Sequence, residues 1–445
     1  MKKLLILAYD FPPYVSVGGL RPVSWAKYLH ECDIFPIIVT RQWSNYYGNA
    51  LDYVAPSESK KTIIETTNAA TIIRTPYKPN LGNKILLKYG NKKYRYIRKF
   101  ITAFYEISQW IFNIGPKSQL YFAAREYLKN NKVDCIIATG EPFILFRYAS
   151  KLSKKFKTPW IADYRDPWIQ SNRSSNKLHK IWNIYNEKRF LKNVSTITTV
   201  SVFFEKLIST NVKNKNFYII TNGYEDGINE SIENIKQNSK VLNIGFSGTI
   251  YKWHPIESFL RTINDFVKSE NKIVLNFYGI NTESEIKLLI ADKFSNLKNC
   301  VNIFPKLKNK EYRQEAAKNN AFLLFNDFEI LGTKIFDYMA MKQQIILCFS
   351  NDDESKALKQ TYFPCKNKSD EEVSCSGSLQ ADLIKETNSG IVVENSQGLY
   401  SVLESLYKEF KENGFIACNS TGIEKYSRRL QTKKLADLIK TRLLQ

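Results

Sequence analysis

The residues most suited to catalysis lie in one run that begins at Glu329, Glu-Ile-Leu-Gly-Thr-Lys-Ile-Phe-Asp-Tyr-Met. Gly332 and Thr333 have the turn and N-cap character of a helix start, where unpaired backbone N–H groups favour phosphate. Lys334 adds a cation there. Asp337, one turn into the helix, is placed to bind a ribose diol, and Glu329 is placed to meet the group that the phosphate carries. The run predicts a nucleotide-sugar site.

Two apolar stretches, 321–325 and 344–349, flank this run and have the continuous apolar character of buried parallel strands. Strand–loop–helix units of this kind recur in both halves of the chain, and a polar linker over 230–240 separates them. We therefore predict an α/β protein with two Rossmann-like, doubly wound parallel-sheet domains, 1–228 and 240–423. A C-terminal helix over 424–445 is expected to pack back on the first domain, and the polar stretch 352–379 predicts a loop.

The first domain has a glycine pair in the loop that follows its first predicted strand, 3–9. Gly18 and Gly19 allow the backbone to approach a ligand closely just before a helix. The alternative is an ordinary strand-to-helix turn, because the nucleotide fingerprint Gly-x-Gly-x-x-Gly is absent.

Four polar residues end or follow two further predicted strands, 133–139 and 159–163. They are Glu141, Asp163, Arg165 and Asp166. Open α/β sheets bind ligands outside the carboxyl ends of their strands, so these residues are candidates for the acceptor side of a site. The alternative is an internal pair between Arg165 and a carboxylate that ties loops together.

The net charge of +22 would attract nucleic acid, an anionic membrane or a phosphorylated substrate. The segment 84–112 is basic and aromatic, and its first acidic residue is Glu106. A helix of this composition suits an anionic membrane surface, and RNA binding would use the same side chains. The alternative is a solvated helix face whose aromatic residues lie in the core.

Several classes are disfavoured. No apolar run reaches the ~18 residues of a spanning helix, and the N-terminal apolar run ends at Asp10 without a cleavage site, which favours a first strand over a secretion signal. Seven scattered cysteines and three distant histidines argue against a metal site and for a reducing, cytoplasmic compartment.

The chain resembles the family 4 glycosyltransferases, a retaining group with the GT-B fold. The similarity rests on the Pro-Pro and Gly-Gly loop after the first strand, Asp-Tyr-Arg-Asp-Pro-Trp from Asp163, Thr-Val-Ser from Thr199, Asn-Gly from Asn222 and Phe-Ser-Gly-Thr from Phe246. The most specific part is Gly-Thr-Lys-Ile-Phe-Asp-Tyr-Met from Gly332, spaced from Glu329 as in the family signature Glu-x7-Glu. These similarities cover nearly the whole chain, in the family's order.

The resemblance implies two domains facing each other across a cleft, with a nucleoside diphosphate sugar as donor and no metal or other cofactor. Glu329 would contact the donor sugar and act in catalysis with Lys252 and Lys334. The remaining donor-binding residues would be Gly18, Gly19, Gly248, Thr249, His254, Gly332, Thr333 and Asp337.

The sequence also departs from the family pattern. Asp337 replaces the second signature Glu, Thr249 stands where the family has Arg, and His254 stands where Lys is expected. Lys252 is then a candidate to neutralise phosphate, assisted by Lys334.

The expected partners are a nucleotide-sugar donor and a glycan or polyprenyl-diphosphate-linked acceptor of bacterial surface polysaccharide synthesis, with peripheral contact to an anionic membrane and no nucleic acid. Two alternatives belong to other classes. A nucleotide-sugar epimerase or phosphorylase shares the GT-B architecture but needs no glycan acceptor. A nucleic-acid-binding protein would explain the charge, but it leaves the run from Glu329 without a purpose.

Overall fold

The structure, a computed structural model, describes residues 1–44, 51–169, 177–363 and 378–442. The chain forms two compact units, Met1–Thr221 with Arg428–Gln445, and Asn222–Ser427. The division falls after Thr221, whereas the sequence predicted that the first domain ends at 228, before a polar linker over 230–240. None of the described helices combines the length and apolar character needed to cross a membrane.

The first unit is built on a mostly parallel sheet. Its described strands are β1 (Lys2–Leu7), β2 (Ile34–Arg41), β3 (Ile63–Thr66), β4 (Thr71–Thr75), β5 (Cys135–Gly140), β6 (Trp160–Tyr164), β7 (Thr196–Thr199) and β8 (Phe217–Ile219). They lie in the order β3-β4-β2-β1-β5-β6-β7-β8, and the pair of β3 with β4 is antiparallel. The central strands are covered on both faces, which is why they read as continuous apolar runs.

The second unit has a parallel sheet of the described strands β9 (Leu242–Ser247), β10 (Ile273–Tyr278), β11 (Val301–Phe304), β12 (Ala321–Phe325), β13 (Gln344–Cys348) and β14 (Gly390–Val392). Their order is β11-β10-β9-β12-β13-β14. The chain therefore moves outward from β9 in one direction and, after crossing over to β12, outward in the other.

Helices connect the strands of both sheets. The described helices are α1 (Leu20–Tyr28), α2 (Leu81–Tyr89), α3 (Arg95–Ser108), α4 (Ser118–Asn130), α5 (Ile144–Phe156), α6 (Lys177–Leu191), α7 (Val202–Ser209), α8 (Ile228–Ile232), α9 (Ile256–Lys268), α10 (Glu283–Lys293), α11 (Asn309–Ala316), α12 (Lys334–Ala340), α13 (Asp353–Tyr362), α14 (Leu379–Thr387), α15 (Ser396–Asn413) and α16 (Arg428–Arg442). Short 3₁₀ turns occur at Val17–Gly19, Leu29–Cys32, Asp52–Val54, Ser295–Leu297 and Ile423–Tyr426.

Helix α16 belongs to the first unit although it follows the second in sequence. Leu435, Leu438 and Ile439 join the same buried cluster as Leu4 and Trp25. The helix begins at Arg428 rather than at 424, because a 3₁₀ turn occupies Ile423–Tyr426. Residues 443–445 of the predicted helix lie outside the described residues.

The prediction of a loop over 352–379 is wrong in its first part, because α13 occupies Asp353–Tyr362. Its start is stabilised by Asp352, whose side chain accepts a hydrogen bond from the Glu354 N–H at 3.1 Å. The helix has few buried residues, so its sequence lacks the apolar periodicity that would have indicated it. Residues 364–377 lie outside the described part of the chain.

A buried ion pair joins α1 to the carboxyl end of β6 in the first unit. Asp163 accepts hydrogen bonds from Arg21 Nη2 at 2.6 Å and Nε at 3.2 Å. The hydroxyls of Thr139 and Thr198 donate to the same carboxylate at 2.9 and 2.8 Å. Asp163 is fully buried, and its hydrogen bonds link β5, β6 and β7 to the first helix.

We expect Asp163→Ala to lower the free energy of unfolding of the first unit by about 3–5 kcal/mol, because Arg21 would be left buried without its counter-charge. Urea unfolding followed by circular dichroism measures this. Glu65→Ala, which breaks the more exposed pair with Arg74, is the control and should change stability by less than about 1 kcal/mol. Equal effects of the two substitutions would contradict the structural role of Asp163.

Candidate functional site

The second unit brings the predicted donor-site residues that it contains, which are all of them except Gly18 and Gly19, to one edge of its sheet. The strand order reverses between β9 and β12, which are hydrogen-bonded neighbours. Open parallel sheets bind ligands in the crevice outside the carboxyl ends of the strands at such a reversal. The loop after β9 carries Gly248, Thr249, Lys252 and His254. The loop after β12 carries Glu329 and leads through Gly332 and Thr333 into α12.

Lys334 connects these two loops. Its amine donates a hydrogen bond to the carbonyl oxygen of Thr249 at 2.9 Å and lies 4.4 Å from the centre of the Phe246 ring. Burial lowers the pKa of Lys334 to about 8, although the nearby charge of Asp327 opposes the shift. The site therefore holds a cation that has lost much of its hydration and gains from an arriving anion.

Gly248 is required beside this lysine. Its φ of +78° lies in the left-handed region, and a Cβ atom on it would lie 3.2 Å from Lys334 Cε. Glycine at position 248 therefore lets the loop turn at the end of β9 and leaves room for the side chain of Lys334.

His254 lies inside the loop and does not present a cation to a ligand. It is buried, its Nδ1 accepts a hydrogen bond from the Tyr251 N–H at 3.2 Å, and its Nε2 lies 2.9 Å from Asp327 Oδ1. Nε2 is consequently the protonated nitrogen, and burial lowers the pKa of the ring. Trp253 Nε1 donates to the same Asp327 oxygen at 2.9 Å. Both ring nitrogens of His254 are thus engaged by the protein in this conformation.

The carboxylates of the predicted signature differ in environment. Glu329 is half-buried on the loop after β12 and makes no hydrogen bond or ion pair with any described residue. Asp337 is half-buried one turn into α12, where its N–H lies 3.4 Å from the carbonyl of Thr333. Lys252 is exposed on the loop after β9. Glu329 is thus available to a ligand in this conformation.

The predicted N-cap of α12 is only partly present. Thr333 occupies the cap position, but its side chain makes no capping hydrogen bond. Helix α12 has seven residues, so its dipole is short and contributes little beyond its first N–H groups. A Cβ on Gly332 would meet nothing within 4 Å, which shows that this position opens to space. The Lys334 amine is therefore a stronger positive charge at this place than the helix start is.

Sequence reasoning missed Asp327 and Tyr338. Tyr338 is buried against Phe322, and its hydroxyl accepts from the Ser247 N–H at 2.9 Å at the end of β9. Asp327 follows β12 directly, so its place at a strand end was a signal that could have been used. Tyr338 gave no such signal, because its partner lies 91 residues away in sequence.

The first unit has the same kind of reversal, between β1 and β5. Arg165, just after β6, donates through Nε to the carbonyl of Gly140 and through Nη2 to that of Glu141 at 2.9 Å. A Cβ on Gly18 would lie 2.1 Å from Arg165 Nη1, so any other residue at position 18 would displace the guanidinium from this place. Gly19 faces the backbone of Asp10, where a Cβ would lie 3.4 Å from the carbonyl oxygen. The structure thus brings Gly18, Gly19 and Arg165 together.

Asp10 belongs to this cluster and was not among the predicted site residues. Its Oδ2 accepts from the Ser16 hydroxyl at 2.7 Å, while Oδ1 is buried without a hydrogen-bond partner among the described residues. Burial raises the pKa of Asp10, and the Ser16 hydrogen bond and the positive charge of Arg165 oppose the rise. An unsatisfied buried carboxylate oxygen needs a donor, which a ligand hydroxyl or water supplies.

The four predicted acceptor residues do not act as one group. Asp163 is fully buried and saturated by Arg21 and two threonines, so in this conformation it cannot contact a ligand and is structural. The sequence suggested, as an alternative, that Arg165 pairs with a carboxylate and so ties loops together. Arg165 does tie loops together, but its hydrogen bonds go to the backbone carbonyls of Gly140 and Glu141. Asp166 is half-buried and Glu141 is exposed, both at strand exits.

The described residues include no group of three or more His, Cys, Asp or Glu side chains that could hold a metal ion.

No protein-family model matches the sequence, and no curated protein matches it. Solved structures do match in fold. Sucrose-phosphate synthase from Thermosynechococcus elongatus has a TM-score of 0.59 at 12% identity, covering 99% of this chain and 98% of that one. Alr3699/HepE of Anabaena in complex with UDP-glucose has a TM-score of 0.54 at 10% identity, covering 99% and 100%. The apo form of the lipopolysaccharide outer core galactosyltransferase WaaB has a TM-score of 0.52 at 12% identity, covering 100% of both chains.

At such identities these matches bear on the fold. Together with the two parallel sheets, they show that the chain has the GT-B architecture of two Rossmann-like domains. The fold predicted from the sequence is confirmed.

His254→Phe should lower the free energy of unfolding of the second unit by about 1–3 kcal/mol, because Asp327 loses a donor in a poorly hydrated place. Denaturant unfolding measures this. Lys252→Ala, in the same loop but exposed, is the control and should shift stability by no more than about 0.5 kcal/mol. Unchanged stability in His254→Phe, with lost binding of inorganic diphosphate, would restore His254 as a ligand contact.

Proposed function

We propose that this protein transfers a sugar, with retention of configuration, from a nucleoside diphosphate sugar to a glycan or lipid-linked acceptor. One observation carries the proposal: Lys334, partly dehydrated and held by the Thr249 carbonyl, lies with Glu329 at the reversal of strand order between β9 and β12. A cation and an available carboxylate at that place suit a diphosphate joined to a sugar.

The donor would bind along the exits of β9 and β12. Lys334, with Lys252 from the exposed part of the loop, would neutralise the diphosphate, and Gly248, Gly332 and Thr333 would let it approach the backbone. Asp337 would accept hydrogen bonds from the ribose and Glu329 from the sugar hydroxyls. The complex of Alr3699/HepE with UDP-glucose supports a uridine nucleotide as the first donor to test.

The acceptor would bind at the other reversal, after β1 and β5. Arg165 beside Gly18 offers a guanidinium, and Asp10 offers an oxygen that accepts no hydrogen bond from the described residues. Glu141 and Asp166, at neighbouring strand exits, would contact further acceptor hydroxyls. Asp163 holds these strand ends in place through Arg21.

Front-face transfer accounts for retention without a covalent intermediate. The acceptor oxygen forms a bond to the anomeric carbon while the bond from that carbon to the diphosphate oxygen breaks. The acceptor proton passes to the departing diphosphate, whose growing negative charge is stabilised by Lys334 and by backbone N–H groups. Fixed cations can supply this stabilisation, and we propose that no metal is needed.

The acceptor we propose is an intermediate of bacterial surface polysaccharide synthesis, such as a glycan on a polyprenyl diphosphate at the cytoplasmic face of the membrane. The similarity in fold to the lipopolysaccharide galactosyltransferase WaaB supports this class. If the acceptor is bound to a membrane, the basic and aromatic residues of 84–112 would bring the protein to the membrane surface.

Thermal-shift measurements with UDP-, GDP-, ADP- and CMP-sugars test the donor. We expect one nucleotide series to raise the melting temperature, and NMR of the product formed with an acceptor to show the donor's anomeric configuration. Epimer or sugar phosphate formed from donor without a glycan acceptor would instead identify an epimerase or phosphorylase. No shift with any nucleotide sugar would contradict the proposal.

Lys334→Ala and Glu329→Ala should each lower turnover by about 10²–10³-fold, because the first removes the cation that stabilises the departing diphosphate and the second removes the contact that positions the donor sugar. Steady-state kinetics of nucleoside diphosphate release measures this. Lys287→Ala on exposed α10 serves as the matched control and should retain wild-type turnover. Wild-type rates in both site variants would disprove the site assignment.

Donor binding should weaken as pH rises through about 8, because the Lys334 amine then loses its proton in the free protein. If binding needs the charged amine, the dissociation constant increases about tenfold between pH 7 and pH 9. Calorimetry with UDP over this range measures the effect, since the diphosphate stays ionised throughout. Lys334→Arg should bind with little pH dependence, because arginine remains charged. A flat profile for the wild type would contradict the assigned role.

A further inference from the structure

A pair of helices, α2 and α3, presents an uncovered apolar stripe in the first unit. No residue of α3 is buried. Tyr96, Phe100, Phe104 and Ile107 are 84%, 76%, 55% and 55% exposed, and their spacing of four, four and three residues places them on one face. Ile111 and Phe112, just after the helix, are 52% and 59% exposed. We call these six residues the α3 stripe.

The opposite side of α3 is the one that faces the protein. Arg98, Ile101, Tyr105 and Ser108 are half-buried, and their spacing of three, four and three defines a second face of the same helix. A Cβ on Gly82 of α2 would lie 3.5 Å from Ile101 Cγ2, so the two helices pack closely there. The α3 stripe is therefore exposed because the helix is fixed by its other face.

The end of α3 is anchored in the first unit. Arg147, a buried residue of α5, donates to the carbonyls of Trp110 and Ile111 at 3.0 and 2.7 Å and to Asn113 Oδ1 at 2.6 Å. The Trp110 ring stacks on Trp168 at 5.0 Å. The alternative that the aromatic residues of 84–112 lie in the core holds for Trp110, which packs against the core, but not for the α3 stripe.

The surroundings of the stripe are cationic. None of the residues 66–105 is acidic. The exposed basic residues of 84–105 are Lys84, Lys88, Lys92, Lys93, Arg95 and Lys99. Like charges of this density repel a second copy of the same face. Exposed phenylalanine and isoleucine beside lysine and arginine match acyl chains below anionic headgroups.

We propose that the α3 stripe and these basic residues dock the protein on an anionic lipid membrane. The apolar side chains enter the boundary between headgroups and acyl chains, and the lysines and arginines contact lipid phosphates. RNA is disfavoured as the partner, because aliphatic Ile107 and Ile111 offer no ring for base stacking. The proposal rests on the helix surface and not on the catalytic function proposed for the chain.

Flotation of the full chain with vesicles tests this. The protein should float with vesicles of phosphatidylcholine containing about one-third phosphatidylglycerol and remain in solution with phosphatidylcholine alone. Phe100→Ser with Phe104→Ser should lower the partition coefficient about tenfold or more, and Lys92→Glu with Lys93→Glu should do the same.

Matched controls lie in the second unit. Leu288→Ser removes a side chain that is 63% exposed on α10, and Lys408→Glu with Lys411→Glu reverses two exposed charges on α15. Both should float like the wild type. Equal loss in the controls, or flotation that does not depend on phosphatidylglycerol, would overturn the proposal. Two further results, each combined with a lack of vesicle binding, would also overturn it. One is a dimer in size-exclusion chromatography that depends on the α3 stripe, and the other is RNA binding through the same residues at physiological salt.

Donor binding separates this proposal from the catalytic one. The stripe variants should give the same thermal shift with nucleotide sugars as the wild type, because none of their residues belongs to the donor site. Loss of flotation with an unchanged shift supports membrane docking, whether or not sugar transfer is observed.

Discussion

The parallel pairing of β9 with β12 is the constraint on which the candidate donor site depends. Only two residue pairs join these strands, Ala321 with Ile244 and Phe322 with Gly245. Gly245 is needed at this contact, because a Cβ there would lie 2.9 Å from the side chain of Asn319. This pairing places the loops after Ser247 and Phe325, which are far apart in sequence, side by side at the sheet edge. Lys334 can donate its hydrogen bond to the Thr249 carbonyl because the two loops lie next to each other.

The two candidate sites use charge differently. At the reversal between β9 and β12, burial lowers the pKa of Lys334 because the charged amine has lost hydration. An anion that binds beside the amine restores a favourable partner and stabilises its charged form. At the reversal between β1 and β5, Arg165 is held by two carbonyls, while one oxygen of Asp10 has no hydrogen-bond partner in the described part of the chain. Both places hold polar groups that are incompletely satisfied by the protein itself, as expected where a ligand completes the hydrogen bonding.

The sequence predicted most strands, because buried parallel strands are runs of apolar residues, as in β1 and β12. It missed β3, whose four residues are all exposed, and α13, whose residues are mostly polar. Lys334 and Glu329 could be predicted from their local motif. Asp327 as the partner of His254, and Arg21 as the partner of Asp163, could not, because 73 and 142 residues separate the partners. Such pairs are determined by topology, which a local pattern does not contain.

The return of α16 to the first unit has a consequence for how the chain is made. During synthesis from the N-terminus, residues 222–427 emerge before this helix does. Leu4 and Trp25 in the first unit therefore lack the apolar cover of Leu435 and Ile439 until the whole second unit has been synthesised. The unit that is synthesised first thus receives part of its hydrophobic core last.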